Sequence, residues 1–167
     1  HEAAGVVLEV GPGVTWPKVG ERVAYNGVIG AYSGERVIAA DKLVTIPDGV
    51  SDEQAAAMML KGMTAEFLLL RTFKVKPGDT VLFHAAAGGV GSIFGQWARH
   101  LGARLIGTAG SAEKVGLARE NGFEHVINYR DADFVAEVRR ITGGEMCDVV
   151  YDSVGKDTFP KSLECLK

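Results

Sequence analysis

The stretch Phe83–Ser92, reading Phe-His-Ala-Ala-Ala-Gly-Gly-Val-Gly-Ser, constrains this chain more than any other. Before it, Thr80–His84 is a short, mostly apolar run introduced by the turn residues Lys76-Pro77-Gly78-Asp79. After it, Ile93, Phe94, Trp97, Ala98 and Leu101 recur at helical spacing. A strand, a tight glycine turn and a helix in close succession are what a dinucleotide site demands. Small residues matter there for physical reasons. At Gly88 the backbone can approach a pyrophosphate, and at Gly91 a helix can pack closely on the strand. The free N–H groups of the helix start, around Ala87, Gly88, Gly89, Val90 and Gly91, face the phosphates. As a bare pattern Ala-x-Gly-x-x-Gly also fits an ordinary strand-to-helix turn. Ala86 stands where the usual fingerprint has its first glycine.

The surroundings favour a doubly wound sheet. Arg104–Thr108, His125–Ile127 and Asp148–Asp152 read as further strands, separated by helical patterns over Ser111–Asn121 and Asp133–Thr142. Alternation at this spacing means a parallel sheet with helices on its faces. The first 50 residues differ. Ala4–Val10, Glu21–Tyr25, Tyr32–Ala39 and Lys42–Ile46 read as short strands divided by glycine and proline turns, a pattern expected of a small barrel or bent sheet. Ser51 with Gln54 marks a helix entry, followed by one helix over Ala55–Met59 and a second over Met63–Phe73. The resulting division is residues 1–66, a β-rich part with a helical connector, and residues 67–167, a dinucleotide-binding part.

Composition narrows the partners. A net charge of −3 implies neither a nucleic acid nor a membrane surface as partner. No apolar run approaches the length of a membrane span, and Cys147 and Cys165 give neither a metal-like spacing nor a disulfide framework. The simpler expectation is a reducing, cytoplasmic setting. The strand after the glycine-turn helix ends in Thr108-Ala109-Gly110 rather than in an acidic residue that would bind a ribose 2′-hydroxyl. Gly110 leaves room, Ser111 offers a hydrogen bond and Lys114 a positive charge, so NADPH is favoured over NADH. The alternative is a solvated helix lysine at 114.

Several motifs together, in order along the chain, resemble the medium-chain dehydrogenase/reductase superfamily and, within it, the zeta-crystallin-like quinone oxidoreductases. They are Glu2-Ala3-Ala4-Gly5, Val10–Val14, Gly20-Glu21-Arg22-Val23, Ala31-Tyr32-Ser33 and Lys61-Gly62-Met63-Thr64. Beyond the glycine turn, Gly107–Lys114, Ile127–Arg130 and Tyr151–Gly155 continue the likeness. The resemblance implies an α/β architecture, a partial Rossmann-type sheet preceded by part of a GroES-like catalytic domain. It also implies that the chain is an internal piece of a protein about twice as long. That longer protein would be a homodimer whose subunit contact uses a sheet edge missing here.

By the same resemblance, Lys114 contacts the 2′-phosphate, Tyr129 lies beside the adenosine end, and Ser153 and Gly155 line the cofactor. Thr64 falls near the nicotinamide. His1-Glu2 resembles the start of a zinc-ligand motif, but Lys61 falls about where a cysteine ligand would stand, so the expectation is a zinc-free enzyme. Tyr25, Asn26 and Tyr32 either border the substrate cleft or pack within the barrel. The implied chemistry is hydride transfer from NADPH to a quinone. An enone or alkene acceptor is the alternative, and a non-enzymatic NADPH-binding or structural protein is the alternative of another class.

Overall fold

A computed structural model describes all residues, 1–167. It divides into two compact units, His1–Met63 and Thr64–Lys167, with the boundary inside a helix.

The first unit carries a three-stranded antiparallel sheet. Its strands are β1 (Glu2–Val6), β2 (Arg22–Asn26) and β3 (Leu43–Thr45), with β2 in the middle. Register pairs Ala4 with Ala24, and Ala24 with Val44. Ala24, Ile46 and Ala55 form its small buried core. Tyr32–Ala39 forms no strand, contrary to the expectation from its sequence. Arg36 instead donates to the Tyr25 hydroxyl and to the Ile29 carbonyl, at 2.8 and 3.1 Å, so the segment folds back on itself instead of extending. β1 likewise ends at Val6, short of the expected Val10.

Helix α1 (Asp52–Glu66) opens on a reciprocal capping box. The Gln54 N–H donates to the Ser51 hydroxyl, and the Ser51 N–H donates to the Gln54 side-chain oxygen. Two separate helices were expected here. One continuous helix forms because Gly62 is the lone weak residue between Met59 and Met63, and a single interior glycine costs a helix only about 1 kcal/mol. From Phe67 to Thr72 the chain widens into a π-helical turn. Within it the Leu68 carbonyl accepts the Tyr151 hydroxyl at 2.7 Å. Tyr151→Phe is expected to cost about 1 kcal/mol through this lost bond, read as a lower urea midpoint with unchanged slope.

The second unit is a parallel four-stranded sheet of β4 (Thr80–Phe83), β5 (Arg104–Ala109), β6 (His125–Asn128) and β7 (Val149–Tyr151), in the order β6-β5-β4-β7. Between them run α2 (Gly89–His100), α3 (Ala112–Glu120) and α4 (Phe134–Ile141), with α5 (Phe159–Leu163) after β7. Each strand feeds both faces by simple alternation. Val81, Phe83 and Leu105 join Phe94, Ala98, Ala118 and Phe123 on one side. Leu82, Ile106 and Ile127 join Phe134, Val138 and Cys147 on the other. Side chains of successive strand residues point oppositely, so a strand covered on both faces reads as a continuous apolar run. Burial pushes the Cys147 and Cys165 thiols up to about 12 and about 11, which leaves both as inert core residues.

Strand order reverses at β4, since β5 lies on one side of it and β7 on the other. In open α/β sheets such a reversal splays the connections apart and leaves a crevice at the carboxyl ends of the strands.

Candidate functional site

That crevice is a cavity of about 420 Å³ within the second unit. Its floor holds His84 and Thr108, one side the glycine turn at Ala85, Ala87 and Gly88, and another Gly110, Lys114 and Tyr129. Val154, Asp157, Thr158 and Lys161 close the far wall.

The glycine turn is built by its backbone. Ala85 takes a left-handed conformation, φ 55°, immediately after the strand. The Gly88 N–H then donates to the Ala85 carbonyl at 2.8 Å, and the Ala86 N–H to the Thr108 carbonyl at 3.0 Å. Here the strain of a tight turn falls on Ala85, one residue before the position where the fingerprint expects its first glycine. Gly88 is the N-cap of α2 and offers no side-chain oxygen to it. The start of α2 therefore has no side-chain cap, with its N-cap Gly88 on the cavity lining, and an anion satisfies such a helix start.

Not every sequence candidate lies on the cavity wall. Ala87, Gly88, Gly110, Lys114 and Tyr129 do. Gly89, Val90 and Gly91 form the first turn of α2, where Val90 packs against the core and Gly91 is buried. A Cβ on Gly91 would stand 2.4 Å from the Ala86 carbonyl oxygen, so its place is set by helix-to-strand packing. Ser111 is the N-cap of α3 and its hydroxyl accepts the Lys114 N–H at 3.3 Å. Ser153 and Gly155 belong to a turn organised by Asp152, next to Val154 on the wall. Thr64 lies in α1. Gly110 has a further reason to be small: a Cβ there would stand 2.5 Å from the Tyr129 hydroxyl, which rests over it. In the first unit Tyr25 is buried, with the Arg36 guanidinium 5.0 Å above its ring, Asn26 donates to the Met63 sulfur at 3.8 Å, and Tyr32 is fully exposed.

Asp152 carries the densest set of bonds in the region. Its carboxylate accepts the Val154 and Gly155 N–H groups at 2.9 and 3.0 Å, the Thr158 hydroxyl at 2.7 Å and the Ser162 hydroxyl at 2.7 Å. Burial alone would raise its pKa, but these donors outweigh it and bring the carboxyl down to about 2. The stability this confers is complete above the ordinary carboxyl range near 3.9 and is lost as pH falls through about 2. Asp152→Asn is expected to be clearly less stable than the parent at pH 7. The gap in urea midpoint should narrow at pH 3, and a gap independent of pH would refute the assignment.

Sequence reasoning passed over His84, Thr108, Thr158, Lys161 and Ser162. Lys161 lines the wall and pairs with Asp133 at 3.3 Å. In the first unit the Lys61 ammonium donates to the Glu2 carboxylate and to the Ala57 carbonyl. No three His, Cys, Asp or Glu side chains gather to hold a metal ion anywhere in the chain. No helix is long and apolar enough to cross a membrane.

A parallel sheet, a glycine turn without a side-chain cap and a cavity at the strand reversal together define a Rossmann-type dinucleotide-binding unit. Comparison with known proteins narrows the class. The family described as zinc-binding dehydrogenase matches residues 89–167. A 2-haloacrylate reductase of a Burkholderia species is 57% identical, over 99% of this chain and 51% of its own length. Quinone oxidoreductase of Salmonella typhimurium is 55% identical, again over 99% and 51%. The crystal structure of Escherichia coli quinone oxidoreductase complexed with NADPH superposes with a TM-score of 0.96 at 53% identity, over 99% of this chain and 51% of that one. The chain thus spans about half the length of the curated relatives it matches. It belongs to the medium-chain dehydrogenase/reductase superfamily, among proteins of the quinone oxidoreductase type.

Proposed function

We propose that the chain is part of a zinc-independent, NADPH-dependent quinone reductase. Residues 1–66 would contribute part of the GroES-like catalytic domain and residues 67–167 the cofactor domain. The observation that carries the reading is the cavity itself, with the uncapped start of α2 on one side and Lys114 with Tyr129 on another. The residues fit the cofactor: backbone amides and an unobstructed Gly88 suit a diphosphate, and an ammonium without an acidic neighbour on the strand end suits a 2′-phosphate. Bound there, NADPH would supply a hydride for an electron-poor acceptor.

The chain's own residues bind and orient. The first amides of α2 would hold the diphosphate, Lys114 and Tyr129 the adenosine end, and the Asp152–Gly155 turn would border the middle. Thr64 is assigned to the nicotinamide side, and Tyr25, Asn26 and Tyr32 remain candidates for the acceptor side. The longer protein is expected to be a cytoplasmic homodimer. Reduction of an activated carbon–carbon double bond is the second reading, favoured by the 57% identity to a protein named 2-haloacrylate reductase. The test is NADPH oxidation by the longer protein, followed at 340 nm, against a panel of quinones, enones and haloacrylates. Faster turnover with quinones supports the first reading. Preference for enones or haloacrylates moves it to the second, and cofactor binding without turnover discards both.

A further inference from the structure

Beneath the cavity a line of buried polar side chains runs from β5 through β4 to α5 and the turn after β7. The Thr108 hydroxyl lies 2.9 Å from His84 Nδ1, and His84 Nε2 lies 3.0 Å from the Ser162 hydroxyl. Ser162 in turn lies 2.7 Å from Asp152 Oδ2. His84, Thr108 and Ser162 are almost wholly buried, and the edge of the His84 ring meets Phe134 with centroids 5.0 Å apart.

The end of this line fixes its direction. Ser162 has two acceptors away from His84, Asp152 Oδ2 at 2.7 Å and the Thr158 carbonyl at 3.0 Å, and its single proton goes to the shorter contact, with a carboxylate that can only accept. Ser162 then has only lone pairs for His84, which means Nε2 carries the imidazole proton. Nδ1 is left as an acceptor, and the Thr108 hydroxyl donates to it. Every donor thus points one way, from the cavity floor toward Asp152. Asp152 holds the Val154 and Gly155 amides and the Thr158 hydroxyl, so the same line sets the wall formed by Val154, Asp157 and Thr158. β7 ends at Tyr151, and no strand pairing orders the turn beyond it.

We propose that His84 is a positioning residue of the dinucleotide site: carrying its proton on Nε2, it fixes Ser162 on Asp152 and so holds the Asp152–Thr158 wall at the separation from the floor that the cofactor needs. The role rests on the reading of the cavity as an NADPH site. Burial keeps the imidazole below its ordinary pKa, against the opposing pull of the Asp152 charge, in keeping with a single proton on the ring.

The test compares the intact protein with His84→Leu, His84→Gln and Ser162→Ala by NADPH fluorescence titration, with circular dichroism to establish folding and ¹⁵N-edited NMR to read the imidazole tautomer. Leucine removes the donor, whereas the glutamine amide can place an N–H near the Nε2 position. The expected result is NADPH affinity weakened about tenfold in His84→Leu and Ser162→Ala, with most of it restored in His84→Gln. The parent spectrum should show the Nε2–H form, altered in Ser162→Ala. If His84→Leu fails to fold, the loss of one hydroxyl in Ser162→Ala decides. A parent that binds NADPH, with equal affinity in Ser162→Ala and the histidine variants, overturns the positioning role alone, as does a parent ring protonated on Nδ1. A folded parent that binds no NADPH overturns the cofactor reading and this role with it.

Discussion

Gly91→Ala is expected to lower stability by about 3 kcal/mol and to abolish measurable NADPH binding. The added Cβ would lie 2.4 Å from the Ala86 carbonyl oxygen, 2.7 Å from its carbon and 2.9 Å from the Ala86 Cα. All three are backbone atoms within the glycine turn, so no side chain can swing aside and α2 must move off β4. Helix propensity works the other way, since alanine is favoured over glycine inside a helix by about 1 kcal/mol. The steric term is the larger, and the sign of the change decides between them. Gly116→Ala in α3 is the matched control. Its Cβ would meet nothing within 4 Å, so propensity acts alone and stability should rise by about 0.5–1 kcal/mol. Urea unfolding gives both numbers. A Gly91→Ala protein with a midpoint at or above the parent's would show that close packing is not what this glycine provides.

The second unit was legible because its signals are local. Apolar runs bounded by turn residues gave β4 to β7 in sequence order, and the helix expected from Ser111 starts there, with the Ser111 hydroxyl capping it. The failures are equally physical. Tyr32–Ala39 lies between turn residues like a strand, yet such bounds say nothing of whether a neighbouring strand exists, and Arg36 found Tyr25 instead. The two expected helices, Ala55–Met59 and Met63–Phe73, merge between Met59 and Met63 because nothing there terminates a helix. The floor and wall of the cavity were invisible for another reason. His84 meets partners 24 and 78 residues away, and no window of sequence holds both. One signal was available: polar His84 and Thr108 sit at the carboxyl ends of β4 and β5, among residues that are otherwise apolar or glycine. Two buried polar groups at the ends of paired strands need partners. They meet each other, and the second imidazole nitrogen finds Ser162 in the segment after β7.

Lys114→Ala is expected to raise the dissociation constant for NADPH by about tenfold to a hundredfold, the range of one hydrogen bond to a charged group, and to leave that for NADH nearly unchanged. Lys114 is exposed, lies on the cavity wall and sits in the first turn of α3, where its N–H donates to the Ser111 hydroxyl. An ammonium at that end of a helix is misplaced for the helix alone, because the macrodipole disfavours it there by about 0.3–1 kcal/mol. Its removal should therefore hold or slightly raise the stability of the ligand-free protein while weakening NADPH. The two readouts moving in opposite directions is the mark of a side chain placed for a ligand. A solvated lysine, by contrast, would weaken neither cofactor when removed. Fluorescence titration of each cofactor, beside urea unfolding of the free protein, separates the cases. Equal losses for NADPH and NADH would assign Lys114 to the shared diphosphate or ribose, and the choice of the phosphorylated adenosine would then have to come from another group on the cavity wall.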